Sequence, residues 1–120
     1  MINTNELMLG NYVRYKARPR KVESIYGYGV IRINGPLHVK RDNCEPIPIT
    51  EEILEKCGYK FDYQVEDIKT FKKGMGYATL IKDTLYTTIN GCDYEIKSLH
   101  QFQNLHFILT GKQLDVNLND

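Results

Sequence analysis

The chain has 120 residues, of which 42% are hydrophobic and 26% charged, and a formal net charge of +1. That suits one domain able to bury roughly two-thirds of the surface its unfolded form exposes, and it excludes a chain too polar or too charged to fold. The uninterrupted apolar runs are a few residues long, against the roughly 18 or more that a membrane span requires, so no membrane partner is expected.

The opening MINTNELMLG has no basic region leading into a long apolar run, which reads as no signal peptide and a cytoplasmic protein. Cys44, Cys57 and Cys92 are widely spaced, with no CxxC pair and no histidine at ligand spacing. They read as reduced core residues, and neither metal nor cofactor is expected. The charge is unevenly divided. Residues 1–46 carry eight basic and four acidic side chains, a balance of +4, and residues 47–120 carry eight and eleven, a balance of −3. The two halves therefore suit opposite partners, or each other.

Short β-like runs fill residues 11–17, 21–26, 30–33 and 37–40, punctuated by Gly27 and Gly29 and then by Asn34-Gly35-Pro36. Four short strands with tight turns predict a small, curved, SH3-like sheet. Glu45-Pro46-Ile47-Pro48-Ile49 lacks two backbone donors and reads as a linker or edge segment. Thr50 then caps a helix of about two turns, with Glu51 and Glu52 at its positive end, Ile49 and Leu54 as a staple, and Gly58 as the stop.

Residues 60–66 alternate Phe61, Tyr63 and Val65 with polar residues, predicting a half-buried strand, and residues 72–76 read as a loop. Residues 77–82, 85–89 and 92–97 predict a three-stranded meander turning at Asp83-Thr84 and at Asn90-Gly91, the latter a type I′ hairpin pair. Ser98 and Gln101 form a capping box for a last helix that Gly111 ends. Leu99, Phe102, Leu105, Ile108 and Leu109 make its apolar stripe, which should cover the meander. Residues 117–120 read as a frayed end. The expectation is an α+β protein: a small β-rich SH3-like subdomain (residues 1–46), then a short helix, an antiparallel meander and a C-terminal packing helix (residues 47–120), together one compact domain.

The strings Leu9-Gly10-Asn11-Tyr12-Val13, Pro46 to Leu54 with Cys57-Gly58-Tyr59, and HQxQNLxFxLTG from His100 to Gly111 resemble a family of small uncharacterised proteins from gut bacteria and their phages or mobile elements. The resemblance touches about a third of the chain. It implies a genomic setting and brings no activity, cofactor or catalytic residue with it.

Two groups of residues suggest binding. His100, Gln103, Asn104 and Phe107 gather polar groups and one aromatic on the last helix, an arrangement suited to an unknown protein partner; for Phe107 itself, packing against the N-terminal segment is the favoured explanation. His100 and His106 stand about 120° apart around the axis, so one helix cannot offer both to one metal ion. Tyr12, Arg14, Lys16 and Arg18 would share one strand face, continued by Arg20 and Lys21 with Tyr26 and Tyr28 nearby, giving cations for phosphate and rings for stacking. A solvated strand face whose charges discourage edge pairing explains the same residues.

Gly27-Tyr28-Gly29 and Gly74-Met75-Gly76 lack the rest of a phosphate-binding loop and read as turns, and no nucleophile or metalloprotease motif is present. The sequence thus predicts a non-enzymatic protein-interaction module, for which the resemblance implies an accessory role in phage or mobile elements, with single-stranded nucleic-acid binding through the basic first strand as the alternative.

Overall fold

The structure, a computed structural model, describes residues 7–26, 29–33, 37–74, 76–89 and 92–118. The predicted turns at Asn34-Gly35-Pro36 and Asn90-Gly91, together with Gly27, Tyr28 and Met75, lie outside the described residues. The fold is α+β, with two antiparallel sheets and two α-helices among the described residues. The first sheet runs in the order β1 (Tyr12–Tyr15), β2 (Arg18–Ile25), β3 (Val30–Ile33) and β4 (Leu37–Lys40). After α1 (Glu51–Lys56) the second sheet follows as β5 (Lys60–Val65), β6 (Ile68–Lys73), β7 (Gly76–Ile81), β8 (Thr84–Ile89) and β9 (Cys92–Ile96), and α2 (Leu99–Thr110) closes the chain's regular structure.

The first hairpin corrects the expected strand at 11–17. Lys16 and Ala17 sit at φ 50° and 65°, the left-handed pair of a tight two-residue turn, so β1 stops at Tyr15 and the chain reverses at once. Val13, Val22, Ile31, Ile33, Val39, Leu7 and Cys44 form this sheet's core. A single 3-10 turn, Arg41–Asn43, then sends the chain back to β1, where Glu45 and Arg14 exchange both backbone hydrogen bonds at 2.8 Å.

The expected linker is a tie. Ile47 and Ile49 are buried in the second core, and Pro48 forms a bridge with Ser98. Thr50 caps α1 as expected, its hydroxyl accepting from the Ile53 N–H at 3.2 Å. A helix this short cannot stand alone, and packing of Leu54 holds it in place. Its end is capped from a distance: Lys73 donates to the Cys57 carbonyl at 2.8 Å, where a cation offsets the helix dipole. Lys69 makes an ion pair with Glu51. Lys69, Lys72 and Lys73 belong to β6, an element that the sequence conceals behind its lysines; the expected loop at 72–76 shrinks to the turn between β6 and β7.

The expected meander is therefore the last three strands of a five-stranded sheet, with the turn after β7 at Lys82-Asp83 and Lys82 at φ 57°. Alternation sorts β8, burying Leu85 and Thr87 and exposing Tyr86 and Thr88. It fails for β5, which lies on an edge and is exposed along its whole length. Cys92 also departs from expectation: it is exposed, whereas Cys44 and Cys57 are buried, and all three are free.

The inward face of this sheet, built from Phe71, Ala78, Leu80, Leu85 and Ile96, packs against Leu54, Leu99 and Phe102 of the helices, with Tyr59 and Phe102 rings 5.9 Å apart. The α2 stripe is narrower than expected. Leu99 and Phe102 are fully buried and Leu105 is half-buried on the core, but Ile108 is 70% exposed. Gly111 ends the helix in the left-handed region at φ 74°. The start differs from a capping box: the Ser98 side chain makes no cap bond, the Ile47 carbonyl takes the Leu99 N–H at 2.8 Å, and Gln101 accepts from the Lys97 N–H. The expected frayed end is anchored as far as it is described, because Asn117 donates to the Lys56 carbonyl and Leu114 and Leu118 pack on the core.

Two measurements probe this core. Phe102→Ala should lower stability in urea denaturation by about 3–5 kcal/mol, whereas Ile108→Ala should stay within about 0.5 kcal/mol of the parent. Desolvation raises the Cys57 thiol from 9.0 to about 12, with Lys73 opposing; burial also raises Cys44, and burial then the charge on Cys57 raises Tyr59. A folded-state value above the unfolded one means the folded chain keeps its proton longer. The stability this confers is complete below about pH 9 and is lost as pH climbs toward 12. Urea midpoints should fall across that window, and less steeply in Cys57→Ala.

Candidate functional site

The N-terminal sheet meets α2 through neutral groups. Gln103 points its amide at the free edge of β1, where its Oε1 accepts from the Tyr12 N–H at 2.8 Å and its Nε2 donates to the Gly10 carbonyl at 3.1 Å. A neighbouring strand would make this same pair of bonds, so one side chain substitutes for a strand. Beside it, Asn11 donates through Nδ2 to the Asn104 Oδ1 at 2.7 Å and accepts the Met8 N–H on its own Oδ1 at 2.8 Å. Asn11 and Gln103 are both buried. Buried amides of this kind hold position because leaving any of their groups unpaired is costly.

This junction floors a cleft of about 430 Å³ between the segment before β1, the outer half of α2 and the chain after it. Tyr12, Lys21, Asn104, Phe107, Gln113 and Asp115 line it, and Leu9 stands on its rim, 59% exposed. Gly10 permits the close approach. At φ +89° it adopts a conformation that side chains resist, and a Cβ there would meet the Gln113 amide at 3.3 Å.

Of the four residues expected to meet a partner, Phe107 alone is exposed, at 39%. His100 and Gln103 are buried, and Asn104 is half-buried and bonded to Asn11. Gln103 and Asn104 thus serve the junction, His100 is packed inside, and Phe107 lines the cleft above it. The sequence shows polar residues on a helix; which of them face water depends on a strand that arrives from 91 positions away. His106 sits at the boundary, with its Nδ1 2.8 Å from the Lys112 carbonyl oxygen.

The basic residues do not all share a face: the turn at Lys16-Ala17 breaks the expected alternation, leaving Tyr12, Arg14 and Lys21 on one face and Arg18 and Arg20 on the other. Tyr12 pairs with Lys21 and both line the cleft at the junction. Arg14 pairs with Pro19 and looks into a second cleft of about 350 Å³ against α1, which Glu52 also lines. Arg18 pairs with Tyr15 and Arg20 with Val13, on the opposite face. Lys16 projects at the turn, its ammonium 5.5 Å from the Tyr15 ring.

The residues that sequence reasoning missed are Leu9, Gly10, Asn11, Gln113 and Asp115. A signal existed for the first three. Leu9-Gly10-Asn11-Tyr12-Val13 and the string starting at His100 are two of the stretches singled out in the sequence, and they meet here. Among the described residues no group of three His, Cys, Asp or Glu side chains could hold a metal ion, and no helix is long and apolar enough to cross a membrane.

Gln103→Ala should remove the bonds to the half-buried Tyr12 N–H and Gly10 carbonyl. The expected loss is about 1–3 kcal/mol in urea denaturation, with faster amide hydrogen exchange at Tyr12, whereas Gln101→Ala should leave the Tyr12 exchange rate unchanged. Against protein-family models, curated proteins and solved structures, the chain shows no significant match.

Proposed function

We propose that the chain is a non-enzymatic protein-interaction module that grips a partner at the cleft between its first strand and its last helix. The supporting observation is the pairing of two exposed apolar side chains, Leu9 and Phe107, around a rigid polar floor. Apolar anchors over a fixed, satisfied base are the arrangement that concentrates binding energy in few residues. The partner is a protein segment carrying an apolar side chain for the cleft and polar groups for Lys21 and Asp115 on its wall.

An SH3-like barrel is the finer description we favour for the N-terminal sheet. The 3-10 turn and the Glu45 bridge to Arg14 support it, since returning the chain to its first strand is how a small sheet closes on itself. Buried, free Cys44 and Cys57 suit a reducing cytoplasm. An accessory role in phage or mobile-element biology rests on the sequence resemblance. Single-stranded nucleic-acid binding is the weaker reading, because Arg14 and Lys21 lie on one face of the first hairpin and Arg18 and Arg20 on the other.

Capture from the native host with the full chain and with Phe107→Asp separates the two. The parent should retain a protein that the variant loses by tenfold or more, at both about 50 and about 200 mM salt. Equal retention by Phe107→Asp, or retention of single-stranded oligonucleotide that collapses over that salt range, would overturn the proposal.

A further inference from the structure

One surface belongs neither to the cleft nor to either core: the outward face of the five-stranded sheet. Residues paired directly across strands share a face, so the register sets Tyr63, Thr70, Thr79, Tyr86 and Glu95 in one row across it. Val65, Ile68 and Ile81 make the next row. Tyr63, Val65, Ile68, Tyr77 and Tyr86 are all exposed. This is an aromatic and aliphatic platform facing water, on the side of the sheet away from α2.

Its charges are sorted by position. Lys60 and Lys72 pair at the β5–β6 corner, with the Lys72 ammonium 5.6 Å from the Tyr77 ring. Asp93 and Glu95 lie at the opposite edge, on β9, on the same face. Cations at one edge, acids at the other and apolar residues between them make a surface complementary to itself.

We propose that this face pairs with the same face of a second copy of the chain, about a two-fold axis running along β7. That rotation lays β5 of one copy over β9 of the other. Lys60 and Lys72 then lie over the acidic edge of the second copy, twice per dimer, and Thr79 and Ile81 meet their own counterparts at the axis. An isologous contact of this kind needs one patch to match itself, which this patch does. The acidic edge also repels phosphate, so a nucleic acid fits the face poorly.

The area sets the strength. Five strands about 4.8 Å apart, with some six residues each at about 3.3 Å, cover on the order of 500 Å² per copy. The pair buries about 1,000 Å², the lower bound of a specific interface, and the dimer is accordingly reversible.

Sedimentation of the full chain across about 1–500 µM tests this. The parent should pass from monomer to dimer, and Ile81→Glu, which brings two carboxylates together on the axis, should remain monomeric. Lys60→Glu with Lys72→Glu should weaken dimerisation at least tenfold, and so should Asp93→Lys with Glu95→Lys. Mixing these two double variants in equal amounts should restore a mixed dimer, because each then opposes unlike charges. A parent that stays monomeric throughout, a dimer indifferent to both charge reversals, or a mixture that fails to associate would each overturn the proposal.

Discussion

The bond pair between the Gln103 amide and the edge of β1 is the constraint on which the arrangement of the molecule depends. β1 is four residues long and has β2 on one side only. On its other side, Glu45 takes both backbone groups of Arg14, and Gln103 takes the Tyr12 N–H and the Gly10 carbonyl. The strand's open edge is thereby closed by one returning backbone and one side chain. Since α2 is itself pinned on the second sheet through Leu99 and Phe102, fixing β1 to α2 fixes one sheet to the other. Tyr12 and Phe107 consequently reach the cleft in a set relation, and the proposed binding role depends on that geometry.

Polar groups do this joining because an apolar contact would hold the halves together without fixing their register. A buried amide whose donor and acceptor both find partners tolerates only small displacements, and the penalty for a misaligned alternative is larger than the net gain from the bonds themselves. Asn11 adds a second such constraint within one residue of the first. The apolar residues follow a different logic: two clusters, one under each sheet, and ties at Pro48 and Glu45 where the backbone passes between them.

The second sheet is asymmetric. Its inner face carries the larger core and both helices; its outer face keeps three tyrosines and several aliphatics in water. An antiparallel sheet readily leaves one face solvated, but that face is ordinarily polar. Here Tyr63, Val65, Ile68, Tyr77 and Tyr86 are exposed between charged edges, a composition closer to a contact surface than to a solvated one. The cleft and this face lie on different parts of the molecule and make separate demands on the chain.

Much of the architecture was legible in the sequence because its signals are local. Thr50 before two glutamates starts α1, Gly111 after Thr110 ends α2, and the alternation around Leu85 sorts a strand by face, each through bonds or sterics spanning a few residues. What the sequence left open is set at a distance. β6 hides behind three lysines, and it is a strand because β5 and β7 flank it. The basic residues near the start divide between faces because of one left-handed pair at Lys16-Ala17, with no glycine to announce it. Gln103 and Asn104 read as surface polar residues until β1 arrives beside them. The sequence by itself determined the helices, most of the strands and the two stretches that meet at the cleft. Tertiary structure alone decided which polar side chains are spent on holding the halves together and which aromatics remain in water, because a polar residue's role depends on which partner reaches it, and that partner is supplied by chain far away in sequence.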